Sequence, residues 1–169
     1  MKLFKKLAAA MLAAALALTM VGCGGRSSFV DQVKDVIADF YAMEDEDITN
    51  KKELDELAAK LMAEADKAAA KAENKDKTVL ELLTDEKVVT AAGIDAAKET
   101  YRVSAVENYK LLSSTISKEK AMLLAQELAD GENEQIGSGV LDPNSYGLAM
   151  GKINGKEYFV MLMNGPSRY

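Results

Sequence analysis

The side chains able to do chemistry in this 169-residue chain are carboxylates, lysines, tyrosines and hydroxyls, because it has no histidine and a single cysteine, Cys23. Without histidine there is no side chain whose ordinary pKa lies near neutrality, and the commonest transition-metal ligand is missing. Ser-His-Asp and Cys-His hydrolysis, His-bearing zinc sites and haem ligation by histidine therefore fall away. Carboxylate clusters are what is left to examine. Asp45, Asp47, Thr49, Lys51, Glu53 and Glu56 stand at the ligand positions of a calcium-loop count, but Asn50 replaces the turn-making glycine and Lys51 and Lys52 add positive charge. They read as an acidic loop leading into a capped helix, and no metal is expected. Asp130, Glu132 and Glu134 read as a solvated loop after a helix. Met150, Met161 and Met163 read as core filling. Gly137 and Gly139 lack the longer glycine pattern and the lysine of a phosphate loop. No cofactor is expected.

Cys23 has a different chemistry, set by its place in the chain. Lys2, Lys5 and Lys6 precede an apolar run from Leu7 to Met20 that carries no charge, and Gly22 stands directly before the cysteine. The segment is shorter than the twenty or so apolar residues of a membrane span. It resembles the bacterial lipoprotein signal, which is cut before the cysteine and leaves its sulfur carrying a diacylglycerol. That resemblance implies a signal peptide over residues 1–22 and a lipidated Cys23, with a flexible tether over 23–28; the length that remains, 29–169, suits one domain. The protein is then expected at the cell membrane, lipid-anchored on the extracytoplasmic face. Removal of residues 1–22 takes away three lysines and no acids, leaving 18 basic residues against 27 acidic and a formal charge of −9. Such a charge argues against nucleic acid as a partner, since counterion release needs a Lys/Arg surface. With no second cysteine, stability must come from packing rather than a disulfide.

The elements that would position any site follow from periodicity. Val30, Val33, Ile37, Phe40 and Tyr41 fall at helical spacing behind Ser28 as a possible N-cap. Asn50 and Glu53 look like a capping box, and Leu54, Leu57, Ala58, Leu61, Met62 and Ala65 draw a stripe on a helix running to about Glu73. Its tail from Lys67 to Ala72 is alanine and lysine only, helical by propensity with little to bury. Thr78 caps a short helix with Val79, Leu80, Leu82 and Leu83, and Ser117 caps another with Ala121, Leu124, Ala125 and Leu128 ahead of Gly131. Between them, Ile94 to Tyr109 fits a strand or a helix. Asn154-Gly155 is the strongest hairpin signal, since a type I′ turn needs positive φ at both central residues. Pairing outward from it sets Lys152 opposite Glu157, Gly151 opposite Tyr158, Met150 opposite Phe159 and Leu148 opposite Met161. Tyr158 to Met163 is apolar on both faces, so helices must cover both sides of the sheet.

The order Val140-Leu141-Asp142-Pro143-Asn144, then Tyr146 to Gly151, then Lys156 to Met163, resembles the bacterial CAP (SCP-like) domains. There an Ile-Leu-Asn-Pro-like segment leads into a glycine-bearing strand, a turn and an aromatic-rich strand. Glu107-Asn108-Tyr109 looks like that family's Glu-Asn segment, with the helix from Ser117 coming after it. The resemblance is strongest over 105–163. It implies an α+β fold, an αβα sandwich with helices around a small antiparallel sheet that ends in the C-terminal hairpin. The family's cation cleft joins histidines and glutamates, of which only Glu107 has a counterpart here, and Gln135-Ile136-Gly137 stands where a Gly-His-Arg segment would fall. A family member with this cleft lost would be a degenerate, non-catalytic binding or scaffold domain, with the membrane as one partner through the lipid and a protein or cell-envelope ligand as another. Glu107, Tyr101 and Tyr109 are the candidate binding residues, although the two tyrosines suit half-buried packing better. The alternative is a carboxylate-dependent cell-envelope hydrolase, with Glu107 and one of Asp130, Glu132 or Glu134 as acid and base.

Overall fold

The computed structural model describes residues 29–43, 46–108 and 118–168. Cys23, Ser28, Asp45, Tyr109 and Ser117 lie outside them. The first helix, α1 (Phe29–Met43), buries Val33, Val36, Ile37 and Tyr41 as one stripe. A two-residue strand, β1 (Thr49–Asn50), then leads into α2 (Lys52–Ala69). A 3₁₀ turn (Ala72–Asn74) and two short helices, α3 (Val79–Leu83) and α4 (Glu86–Ala91), precede the strand β2 (Tyr101–Glu107). After α5 (Lys118–Asp130) the rest is β: β3 (Asn133–Ile136), β4 (Val140–Leu141), β5 (Ser145–Ile153), β6 (Lys156–Asn164) and β7 (Ser167–Arg168). Five strands form one sheet in the order β1-β5-β6-β2-β3, antiparallel throughout except where β1 joins β5, and β4 pairs with β7 apart from it.

Alternation along the central strands makes this an α+β sandwich. Tyr146, Leu148, Phe159, Met161 and Met163 point into a core shared with α1 and α5. Ala149, Ile153, Val160, Leu162 and Val103 point the other way, into a core shared with α2, α3 and α4. Each face of the sheet is covered by helices, which is why Tyr158 to Met163 needs no polar side. Gly147 lets α2 approach β5, since a Cβ there would collide with the backbone of Leu54 and Asp55. The hairpin has the register its sequence predicts, with Lys152 opposite Glu157, Met150 opposite Phe159 and Leu148 opposite Met161. Asn154 (φ 53°) and Gly155 (φ 77°) supply both left-handed positions of the turn.

The stretch that fits either a strand or a helix is a strand over Tyr101–Glu107, placed between β6 and β3. The Thr78 cap forms with its full reciprocal box: Glu81 N donates to Thr78 Oγ1 and Thr78 N donates to the Glu81 carboxylate. The box expected at Asn50 does not form. Asn50 belongs to β1, and its amide donates to Asp55 Oδ1 at 2.9 Å and to the Tyr146 carbonyl at 3.2 Å, so α2 starts after Lys51 with no side-chain cap. The helix also ends at Ala69 rather than near Glu73, and its alanine tail is put to use, with Ala68 and Ala69 both buried. Met161 and Met163 fill core as expected, but Met150 is 42% exposed. It stands on β5 beyond the reach of the short β1.

Two aspartates of α2 fasten the helix to β5. Asp55 Oδ1 accepts from Leu148 N at 2.8 Å while its Oδ2 pairs with Lys34 of α1 at 2.5 Å, and Asp66 Oδ1 accepts from Asn154 N at 2.9 Å in the hairpin turn. Tyr146 OH donates to the Lys34 carbonyl at 2.9 Å. Burial, with Asp55 nearby, pushes the Tyr146 hydroxyl well above its ordinary pKa, so it stays a donor.

Candidate functional site

Glu107 is the last residue of β2, opposite Tyr158 of β6. The antiparallel register that places it there also brings Lys156 across from it at the sheet rim. Lys156 Nζ lies 3.1 Å from Glu107 Oε2 and Tyr158 OH donates to the same oxygen at 3.4 Å. The Lys156 pKa is raised by its hydrogen bond to Glu107, and the Tyr158 hydroxyl is raised by burial and then by the Glu107 charge. Asn108 continues the strand by one bond, its N–H donating to the Glu157 carbonyl at 2.7 Å. Its side-chain amide donates to Glu157 Oε2 at 3.4 Å, while its Oδ1 is buried without a hydrogen-bond partner among the described residues. The arrangement is a carboxylate paired with an ammonium and a phenol. A general acid of the kind glycoside hydrolysis needs is instead a carboxyl kept protonated by burial or by a second carboxylate.

The structure does not gather the three candidate binding residues. Tyr101 begins β2 and Glu107 ends it, which separates them by about 20 Å at strand rise. Tyr101 is buried in the core under α2, α3 and α4, where burial, with Glu99 adding to it, pushes its hydroxyl up to about 12. It is a packing aromatic. Tyr109 lies outside the described residues. Asp130, Glu132 and Glu134 are exposed where α5 runs into β3, and none of them hydrogen-bonds or ion-pairs with Glu107. Of the calcium-loop count, Thr49 is in β1 while Glu53 and Glu56 are in α2, so the described part is a strand and a helix rather than one continuous ligand loop. No group of three or more Asp, Glu, His or Cys among the described residues is placed to share a metal ion.

A groove of about 400 Å³ lies elsewhere, between the end of α2, the 3₁₀ turn and α4. Its charged lining is Lys67, Lys71, Lys77 and Lys87 with Glu64, Glu73 and Asp85, and Ala68 and Val88 line it too. The sequence carries only a faint signal of it. Lys67 and Lys71 are one helical turn apart in the tail that reads as propensity alone, and Lys77 and Lys87 reach the same place only through the fold. Among the described residues no helix is long and apolar enough to cross a membrane. Comparison with protein-family models, with curated proteins and with solved structures finds no match to this chain.

Proposed function

We propose that this chain is a bacterial lipoprotein, anchored through Cys23 on the extracytoplasmic face of the cell membrane, whose single domain is a non-catalytic, CAP-like binding or scaffold module. The observation that carries the non-catalytic part is the state of Glu107. Its carboxylate is engaged by Lys156 and Tyr158 at the end of β2, and it is paired with no second acid among the described residues. The family resemblance is supported by order: the Glu107 strand, α5 and the β5–β6 hairpin succeed one another inside an αβα arrangement, as that resemblance implies. The anchor rests on the sequence of residues 1–28.

Mass spectrometry of the mature N-terminus tests the anchor. The expected product begins at Cys23 and carries acyl chains, and Cys23→Ser yields uncleaved precursor or released protein. An unmodified end elsewhere removes the lipoprotein reading. Calorimetric titration with zinc, calcium and magnesium tests the module, with no tight stoichiometric binding expected. Tight binding of one ion that disappears in Glu107→Gln would instead promote the hydrolase.

A further inference from the structure

We infer that the groove between the end of α2, the 3₁₀ turn and α4 is a binding site for a small phosphate-bearing anion with an apolar body. Neither the lipid anchor nor the family resemblance is needed for it. Four lysines and three acids line the groove, and two of the lysines are already neutralised. Lys67 Nζ pairs with Glu64 at 2.6 Å and Lys77 Nζ with Asp85 at 2.7 Å. The bond from Lys77 holds the Asp85 carboxyl below its ordinary range, so this acid does not release its lysine near neutral pH. Lys71 and Lys87 have no ion-pair partner among the described residues, and Glu73 is the remaining rim acid. Two unspent ammonium groups against the one acid Glu73 leave the groove net positive, the sign that a phosphate monoester, about −1.5 to −2 at neutral pH, requires. The domain as a whole is acidic, but its other charges are screened beyond roughly 8 Å at physiological salt, so the local balance decides.

The walls are fixed before any ligand arrives. Asn74 Nδ2 donates to the Ala68 carbonyl at 2.9 Å and pins the 3₁₀ turn against α2. Asp85 caps α4 by accepting from Lys87 N at 3.0 Å, and the same side chain receives Lys77. Ala68, Val88 and Ala91 supply the apolar part of the lining. A lysine ammonium is a point charge suited to phosphate oxygens, and no arginine lines the groove to favour a two-pronged grip on a carboxylate.

Phenyl phosphate is a suitable probe, its binding monitored by ligand-observed saturation-transfer NMR on the full-length protein in neutral detergent. The expected result is saturable binding, displaced by inorganic phosphate, weakened roughly tenfold or more in Lys71→Ala/Lys87→Ala and unchanged in Lys60→Ala on the exposed side of α2. The single variants Lys71→Gln and Lys87→Gln are each expected to lose part of the affinity, and thermal melts establish that every variant is folded. Undiminished binding by the folded double variant, equal affinity for benzoate, or no binding by the wild type at millimolar probe overturns the assignment.

Discussion

Among the described residues, two lysine–aspartate or lysine–glutamate pairs join parts of the chain more than twenty residues apart, and they do different things. Lys34–Asp55 sits between α1, α2 and β5 with side chains only 18% and 19% exposed, and Asp55 also accepts from a β5 amide and from Asn50. Lys156–Glu107 sits at the sheet rim, 62% and 30% exposed, with one tyrosine hydroxyl as company. The charges are the same type and the separations are similar. What differs is how many other groups would be stranded by loss of the acid. A desolvated carboxylate that satisfies a backbone N–H and an ammonium is part of the architecture, whereas an exposed pair is screened and contributes little.

Asp55→Ala is the substitution with the largest expected effect. It leaves Lys34 without its counter-charge and Leu148 N without an acceptor, and should cost about 3 kcal/mol in denaturant unfolding. Adding Lys34→Met should recover part of that loss, because the second change removes the stranded ammonium. A cost equal to that of a surface substitution would place Asp55 in the same class as Glu107. Gly155→Val comes next. Nothing crowds a Cβ at this position, so the whole effect, about 1 kcal/mol or more, is the strain of a β-branched residue at φ 77° in the turn that carries Lys156 to Glu107. A harmless Gly155→Val in thermal melts would mean that the turn relaxes to another type. Glu107→Gln should move the denaturation midpoint least of the three, within experimental error. A clear loss of stability there would show that the rim pair is structural after all.

Local signals in the sequence carried the hairpin and the Thr78 cap, because each is decided within a few residues. Asn154-Gly155 needs only its own backbone preference, and Thr78 and Glu81 meet one helical turn apart. The capping box at Asn50 failed because its amide found partners 5 and 96 residues away, and tertiary bonds outranked the local pattern. The place of β2 within the sheet was equally illegible, since its partners are β6 and β3 and nothing in Tyr101 to Glu107 names them. Alternation could also assign Met150 to one face of the pleat, but not show that this part of the face is left 42% exposed. The rim pair at Glu107 needs the β2–β6 register, and the lysine groove needs α2 and α4 side by side. Neither arrangement is written in spacing.

Because β1 spans only two residues, the outer rim of β5 from Leu148 onward has no strand beside it among the described residues. Open rims of this kind recruit strands from other copies of a protein. Here the first amide such a visitor would need, Leu148 N, is held by Asp55, and the amide at the far end, Asn154 N, is held by Asp66. Both plugs are anionic and both come from one helix. The bonds that seat α2 on the sheet therefore also occupy amides at both ends of that rim, where a visiting strand would have to begin and finish its pairing.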